Sequence, residues 1–374
     1  MEIPKLFSTR ISKLREIMVE EKAELYIADH SELMGWLTGY MVSETMYRAL
    51  MIPLKGSPWL VLRKLDSEQA YAQSWLKEII GFNDWENPFE KVAESIHNRG
   101  ISSATILVDS ASYSFTLEVY KQFSTALPKT TFKFRPGLSD DLRAVKDSME
   151  IATIRRAAQI ADKSMEKLCL EIGPGTTSRI AGAIAASSYI RFGADDGQVG
   201  RICKGHSAIG FLHAELDDSP LTLGDVLHVE LVPKVEKYSA RIMRPIAIGK
   251  ASTKVIEIAK KLFEYQDNQI AAMQTGQTAA NVDTILRKQI LDSGLRSTYE
   301  NVSGYMLGIY GRTPRSSDFS HVFLPSSNWT IEAGMVFHMY TSAQGIGVSE
   351  TVLVTDNGGE RLTRTPRHLL VSQG

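Results

Sequence analysis

The sequence predicts an α+β protein of two domains, an N-terminal α/β domain and a C-terminal α+β domain with an internal duplication. Short apolar runs alternate with helical stretches as far as residue 143, which is typical of an α/β domain. From Ser148 onward, apolar residues recur at spacings of three and four, which indicates a long amphipathic helix that opens a second unit. Within this second unit, two segments share the same pattern, a Gly-x-Thr sequence that opens a helix, which indicates the duplication. We therefore place the boundary at 143–147 and the domains at 1–143 and 144–374.

The first domain opens with an amphipathic helix, because Ile11, Leu14 and Met18 stand at helical spacing. The apolar run 25–28 follows and ends in turn-prone residues, which predicts a strand. Further strands are predicted at 49–53, 59–63 and 105–109, and helices near 66–77, 88–98 and 114–127.

The duplication rests on two similar segments of the second domain. Gly175-Thr176-Thr177 and Gly276-Gln277-Thr278 each precede a helical pattern, as expected of threonines that cap helices. An amphipathic helix precedes each segment, at 148–170 and 252–272, and an apolar strand follows, at 226–232 and 334–340. Because Gly-x-Thr is common at helix starts, coincidence is the alternative to duplication.

Composition and charge narrow the classes of function. The chain has 374 residues, a formal net charge of -1 and no long block of either sign. This balance lacks the electrostatic pattern of a protein that binds nucleic acid or an anionic membrane, so we expect a small-molecule substrate. Without a signal-peptide pattern or an apolar stretch of membrane-spanning length, we expect a cytoplasmic protein. Cys169 and Cys203 are too few for a disulfide framework or a sulfur-rich metal site.

Three predicted strands carry polar residues inside apolar runs. Because side chains alternate along a strand, the polar pair of each strand lies on one face. On the third strand this pair is Ser349 and Thr351, and Glu350 between them points to the opposite face. Buried polar groups cost free energy unless they are paired, which favours a shared site over a solvent-facing surface or a satisfied core network. The residues are His228 and Glu230, then His338 and Tyr340, and finally Ser349, Glu350 and Thr351.

Short motifs stand in order along the second domain. They are Phe211-Leu212-His213-Ala214, Gly224-Asp225-Val226, Gly304-Tyr305, Glu332-Ala333-Gly334 and Glu350-Thr351. Their order and spacing resemble the creatinase, aminopeptidase P and prolidase superfamily, peptidase family M24. The resemblance covers essentially the whole chain, and Trp36-Leu37-Thr38-Gly39-Tyr40 is placed like a motif of the family's first domain. It implies a creatinase-like N-terminal domain and a C-terminal catalytic domain with the pita-bread fold.

The metallopeptidases of this superfamily bind a metal pair with two Asp, one His and two Glu residues, and the resemblance aligns a different residue with each of those positions. A guanidinium, two phenols and a hydroxyl cannot replace carboxylates and imidazole around two hard divalent cations. A misalignment by one residue would restore Glu350 or His338 but not all five ligands. The resemblance therefore implies neither metal nor other cofactor. The five positions hold Glu230, Arg241, Tyr305, Tyr340 and Ser349.

Metal-free members of the superfamily offer two comparisons. Creatinase shares the histidine at His213, but Met243 and Tyr340 stand where its guanidinium-holding glutamates would be. The ectoine hydrolases resemble this chain more closely, with glutamate at Glu230 and the pairs Gly-Tyr, Phe-His and Glu-Thr at 304–305, 337–338 and 350–351. Gly347 stands where an acid is expected, which leaves open whether ectoine itself is the substrate.

The resemblance implies a metal-independent hydrolase that cleaves a C–N bond in a small zwitterionic cyclic amidine, amidine or amide. Glu230 is expected to attack the electrophilic carbon, or to direct water at it, while His213 moves protons. A Xaa-Pro dipeptidase and a catalytically inactive binding protein are the alternatives.

Further residues are candidates for substrate binding. Arg241 and Arg244 are three apart and face opposite sides of a regular strand, so only one should hold a substrate carboxylate. Four others would bind substrate or form a network in place of the lost metal, namely Tyr305, Tyr340, His338 and Glu350.

A homodimer is also implied by the resemblance. In this superfamily the N-terminal domain of a second subunit closes the pocket, and Trp36, Tyr47 and Arg48 are the candidate contacts.

Overall fold

The structure, a computed structural model, describes residues 3–41, 43–205, 210–311 and 320–374. The described residues form two compact units, with the division along the chain between Ala144 and Val145, and Gly311 groups with the first unit. Among the helices that the structure describes, none has both the length and the apolar character needed to cross a membrane.

The first unit is a six-stranded sheet with helices, which confirms the predicted α/β character. The strand order is β4-β3-β2-β1-β5-β6, with β1 parallel to β5 and antiparallel to β2. The helices are α1 (Lys5–Glu20), α2 (Ser31–Thr38), α3 (Ser67–Gln73), α4 (Pro88–His97), α5 (Leu117–Ala126) and α6 (Leu138–Leu142), with a 3-10 turn at Lys64–Asp66. The strands are β1 (Leu25–Ala28), β2 (Ala49–Pro53), β3 (Trp59–Arg63), β4 (Ile79–Phe82), β5 (Thr105–Val108) and β6 (Thr131–Phe134).

One core cluster of the first unit lies between the sheet and the helices α4 and α5. Asn87 caps α4 by accepting hydrogen bonds from two backbone amides, and Pro88 follows at the first helical position, where proline is well tolerated. Trp59 and Phe123 are buried in this core, and the indole of Trp59 donates to the hydroxyl of Ser95 at 3.0 Å.

The second unit is built around an eight-stranded sheet. Six strands follow the order β12-β13-β14-β11-β8-β7, while β15 pairs with β14, β16 pairs with β11, and β9 and β10 form a separate hairpin. The helices are α7 (Ser148–Glu171), α8 (Ser178–Phe192), α9 (Thr253–Ala271) and α10 (Ala279–Asp292), with a 3-10 turn at Gly210–His213. The strands are β7 (Ile202–Lys204), β8 (Val226–Leu231), β9 (Lys234–Val235), β10 (Tyr238–Ser239), β11 (Ile242–Ala247), β12 (Gly304–Met306), β13 (Val336–Ala343), β14 (Ile346–Thr355), β15 (Gly358–Arg361) and β16 (Leu370–Val371).

The predicted duplication is confirmed by matching backbone geometry before α8 and α10. Gly175 and Gly276 have φ of 88° and 89°, a left-handed conformation that glycine adopts without a steric cost. Their amides donate to backbone carbonyls at 2.8 and 2.9 Å, in the loops that lead to β8 and β13 respectively. Thr177 and Thr278 then cap the two helices through their side chains.

Helix α9 covers one face of the second sheet. It packs against β13 and β14, and its Phe263 shares a core cluster with Val348 of β14. Because side chains alternate along a strand, Val348 and Glu350 face α9, while Gly347 and Ser349 face the other side. The candidate site lies on that other face.

Candidate active site

Strand register arranges the side chains of the sheet face opposite α9 in three rows. Glu230 pairs with Met243, Met243 with Ser349, and Ser349 with Tyr340, so these four lie side by side across the strands. The rows on either side follow from the same register, two residues along each strand. The first is Tyr305, His338, Thr351 and Arg241, the second is Tyr340, Ser349, Met243 and Glu230, and the third is Ser342, Gly347, Pro245 and His228.

A buried ion pair occupies the centre of this face. The side chains of Glu230 and Arg241 are 9% and 5% exposed, and Arg241 Nη1 lies 3.5 Å from Glu230 Oε1. The same nitrogen donates to the phenolic oxygen of Tyr305, and the Arg241 backbone amide donates to Thr351 Oγ1 at 2.7 Å. Arg241 is therefore held in place from three strands and offsets the charge of the carboxylate.

The backbone at Gly200 and Arg201 supports Glu230 from the adjacent loop. The Arg201 amide donates to Glu230 Oε2 at 3.3 Å, and the Glu230 amide donates to the Arg201 carbonyl at 2.8 Å. A Cβ at Gly200 would lie 2.7 Å from Glu230 Cγ and 2.9 Å from Oε2. Glycine is needed for this close approach, which the sequence reasoning missed because the segment reads as an ordinary loop.

Three aromatic rings form the other end of the face. The ring centroids of His338 lie 5.1 Å from Tyr305 and 5.3 Å from Tyr340, and Asn301 Nδ2 donates to the Tyr340 oxygen at 3.3 Å. Burial, with the nearby charge of Arg241, holds the pKa of His338 well below its usual value. Burial raises the pKa of Tyr340. Imidazole and phenol are therefore neutral hydrogen-bonding groups.

Several buried polar atoms on this face have no hydrogen-bond partner among the residues that the structure describes. They are both ring nitrogens of His228 and of His338 and the hydroxyls of Ser342 and Ser349. Burial lowers the pKa of His228 to about 3, so its ring is neutral as well. Buried polar groups in folded proteins are almost always satisfied by protein, water or ligand. Their concentration on one sheet face makes it the candidate binding site.

His213 lies at the end of the 3-10 turn Gly210–His213 and is exposed. Phe211 of the same turn packs edge-on against His228, with ring centroids 4.8 Å apart. Because His228 and Glu230 alternate onto one face of β8, the turn that carries His213 lies on the Glu230 side of the sheet.

Arg244 and Glu350 require a correction as substrate-binding candidates. Both side chains are 0% exposed, and Arg244 Nη2 donates to Glu350 Oε1 at 2.6 Å on the face that α9 covers. Arg367 Nη1 also donates to Glu350 at 2.6 Å, and Thr363 donates to its other oxygen. This network is structural, so of the two candidate arginines only Arg241 faces the site.

Two of the three candidates in the first unit, Trp36 and Arg48, differ from expectation. Trp36 is 2% exposed, and the Arg10 guanidinium stacks on its ring at 4.6 Å. Arg48 is 4% exposed and bonds to serine hydroxyls of its own unit, and the partly buried Tyr47 donates to Asp29 at 3.1 Å. Trp36 and Arg48 are therefore internal packing residues and do not present side chains to a second subunit. The homodimer itself stays a prediction.

The donor set does not fit a pair of metal ions. Among the described residues, no three His, Cys, Asp or Glu side chains are grouped so that they could hold one ion. Glu230 is the single carboxylate in the three rows, and the cationic guanidinium of Arg241 lies where a metal centre would need a further anionic oxygen.

Comparison with known proteins agrees with this architecture. The chain is 27% identical over 347 residues to the Xaa-Pro dipeptidase of Pyrococcus furiosus, covering 92% of each chain. It is 23% identical over 389 residues to the ectoine hydrolase of Halomonas elongata, covering 98% of this chain and 97% of that one. The prolidase of Thermococcus sibiricus has the same fold, with a TM-score of 0.85 at 22% identity over 98% of this chain and 99% of that one.

Family models cover both units. Residues 10–145 match the creatinase/prolidase N-terminal domain, and residues 152–356 match metallopeptidase family M24. The second match alone spans more than half of the chain. The chain therefore belongs to the M24 family of hydrolases and carries that family's creatinase/prolidase N-terminal domain.

Proposed function

We propose that this protein is a metal-independent hydrolase that cleaves a C–N bond in a small zwitterionic cyclic amidine, amidine or amide, similar in reaction type to ectoine hydrolase. The observation that carries the proposal is the buried pair of Glu230 and Arg241, 3.5 Å apart, among polar side chains that lack partners in the described structure. A ligand with both charges suits this face, because one anion and one cation lie at its centre.

Glu230 is the group that forms or directs the new C–O bond. Its Oε2 accepts from the Arg201 amide, and its Oε1 lies beside Arg241, so both oxygens have a defined orientation. The carboxylate attacks the electrophilic carbon itself or removes a proton from a water that attacks. In the net reaction the carbon gains the water oxygen, the C–N bond breaks, and the nitrogen leaves with a proton that His213 delivers.

Arg241 and the neutral rings bind and orient the substrate. The Arg241 guanidinium can add a substrate carboxylate to its contacts with Glu230 and Tyr305, while a cationic amidinium faces Glu230. His338 and Tyr340 offer uncharged hydrogen-bonding groups beside that carboxylate, with their rings stacked at 14°. These contacts hold the reacting carbon over Glu230.

The experiment combines metal analysis with turnover on one purified sample. Ectoine, small amidines and proline dipeptides are assayed with and without chelator, for the wild type, Glu230→Gln and the control Glu171→Gln. Glu171 is an exposed partner of Lys167 on α7, so its variant should keep full activity. We expect chelator-insensitive cleavage of an amidine or amide that falls about 10³-fold in Glu230→Gln.

Two stoichiometric, tightly bound metal ions together with chelator-sensitive cleavage of a proline dipeptide would refute the proposal and establish a Xaa-Pro dipeptidase. Binding of a small molecule without any turnover would instead indicate an inactive member of the family.

A further inference from the structure

A loop of the second unit lies beside the segment of chain that carries Glu230. The loop runs from Asp195 to Arg201, between α8 and β7, and its direction is opposite to that of the segment from Glu230 to Lys234. Backbone hydrogen bonds join the two at both ends. The Glu230 amide donates to the Arg201 carbonyl at 2.8 Å, and the Asp195 amide donates to the Lys234 carbonyl at 2.8 Å. The loop is therefore attached to the same short stretch of chain that contains Glu230.

The loop is longer than the segment beside it. Seven residues, 195–201, lie against five, 230–234, whereas the residues of a regular antiparallel pair match one to one. The surplus residues have no place in such a pairing, so the middle of the loop bulges out between its two attached ends. Backbone pairing alone does not fix the path of this bulge, and side chains have to hold it.

Lys234 binds the middle of the loop with its side chain, which is 6% exposed. Its Nζ lies 3.0 Å from Asp196 Oδ2 and donates to Gln198 Oε1 at 3.2 Å. The other oxygen of Asp196 accepts from the Gln198 amide at 3.0 Å, so the two loop residues that Lys234 binds are also bonded to each other. An ammonium carries three N–H donors, which suits a single group that joins two loop residues. Because a buried ammonium without partners would cost free energy, the lysine and the loop hold each other in place.

We propose that Lys234 is a positioning residue for Glu230, because its ammonium fixes the loop that presents the Arg201 amide to the carboxylate. That amide donates to Glu230 Oε2 at 3.3 Å, and Gln198 stands only three residues before it, so a displacement of Gln198 is passed on to Arg201. A loop released from Lys234 would withdraw this donor and let the carboxylate leave the orientation that the reaction needs. The inference rests on the proposed function, which assigns the bond-forming step to Glu230.

Three variants test this role. Lys234→Met removes the ammonium and keeps a side chain of similar length. Gln198→Ala removes one of the loop partners of Lys234 at an exposed position, so it decides the test if the buried variant does not fold. Lys237→Met is the matched control in the same hairpin, because Lys237 is 46% exposed and its partner Asp195 keeps two backbone amide donors when that side chain is shortened.

We expect kcat to fall while KM stays nearly constant, because Glu230 moves and the groups that bind substrate do not. Lys234→Met should lower kcat for the C–N substrate by about 10²-fold, Gln198→Ala by a smaller factor, and Lys237→Met not at all. In the Glu230→Gln background, adding Lys234→Met should change the residual rate by less than about twofold, since a residue that acts through Glu230 has no effect once that carboxylate is gone. Equal losses in both backgrounds, or a wild-type kcat in Lys234→Met, would overturn the inference, as would a wild-type kcat in Gln198→Ala if Lys234→Met does not fold.

Amide hydrogen exchange separates this inference from the proposed function. Exchange of the Arg201 amide is measured without substrate in the wild type, Lys234→Met and Lys237→Met. If exchange becomes about tenfold faster or more in Lys234→Met alone, Lys234 holds the loop against Glu230 even when no C–N compound is cleaved, in which case only the proposed reaction fails. If an amidine or amide is cleaved but Arg201 exchanges at the wild-type rate in Lys234→Met, the reaction stands and the role of Lys234 is refuted.

Discussion

Replacing Gly200 by alanine should displace Glu230 and reveal how far the site depends on backbone support. The new Cβ would lie 2.7 Å from both Glu230 Cγ and the Glu230 carbonyl oxygen, whereas ordinary contacts begin at 3.4 Å. The difference, 3.4 − 2.7, requires a shift of about 0.7 Å. Side-chain rotation cannot provide it alone, because the carbonyl is as close as Cγ, so the loop or β8 must move.

We expect two consequences of this displacement. Overpacking of this size lowers the free energy of unfolding by about 1–3 kcal/mol. A carboxylate misplaced by close to 1 Å lowers kcat by about 10²-fold. Urea denaturation measures the first quantity, and steady-state turnover of the C–N substrate measures the second.

Gly197→Ala is the matched control in the same loop. Its Cβ would meet Ala186 at 3.3 Å and not Glu230, so we expect a small change in stability and nearly full turnover. If Gly200→Ala keeps wild-type kcat and stability, Glu230 is not held by the loop and the steric reasoning is wrong.

Three further predictions concern charge. Glu350→Gln leaves Arg244 without its buried counterion and should lower the free energy of unfolding by about 3–5 kcal/mol in urea denaturation; an unchanged midpoint would contradict a structural role. Arg241→Lys keeps the positive charge but loses the planar guanidinium and its paired N–H donors, so KM for a carboxylate-bearing substrate should rise about tenfold or more. An unchanged KM would mean that Arg241 contacts Glu230 and does not bind the substrate. Burial places the folded-state pKa of His228 at about 3, below about 6.5 in the unfolded chain, so the unfolded state takes up this proton first as the pH falls. The free energy of unfolding should therefore be about 3 kcal/mol lower at pH 4 than at pH 7 because of His228. The variant His228→Leu should show a smaller decrease over the same pH range.

Local patterns in the sequence predicted most elements of the fold. The strand at 25–28 and the long helix from Ser148 lie where apolar spacing indicated them, because burial of one face imposes its period on the sequence. Strands β4 and β6 were missed. They are four residues long, and β6 is not fully buried at any position, so neither carries a clear alternation.

The candidate site was predictable only in part. Alternation along β8 placed His228 and Glu230 on one face, and the motif order made His213 a candidate that stays a prediction. The same alternation put Arg241 and Arg244 on opposite faces but could not say which face α9 covers.

What the sequence by itself determined is the two-domain α+β architecture and the duplication, since these depend on local periodicity and motif order. Tertiary structure decided the rest. The ion-pair partners of Glu350 include Arg244, which lies on another strand, and Arg367, which follows the last long strand. Ser342 lies on the face of the site only through the register of β13 with β14. Contacts between distant segments depend on strand order and helix packing, and neither is encoded in the spacing of neighbouring residues.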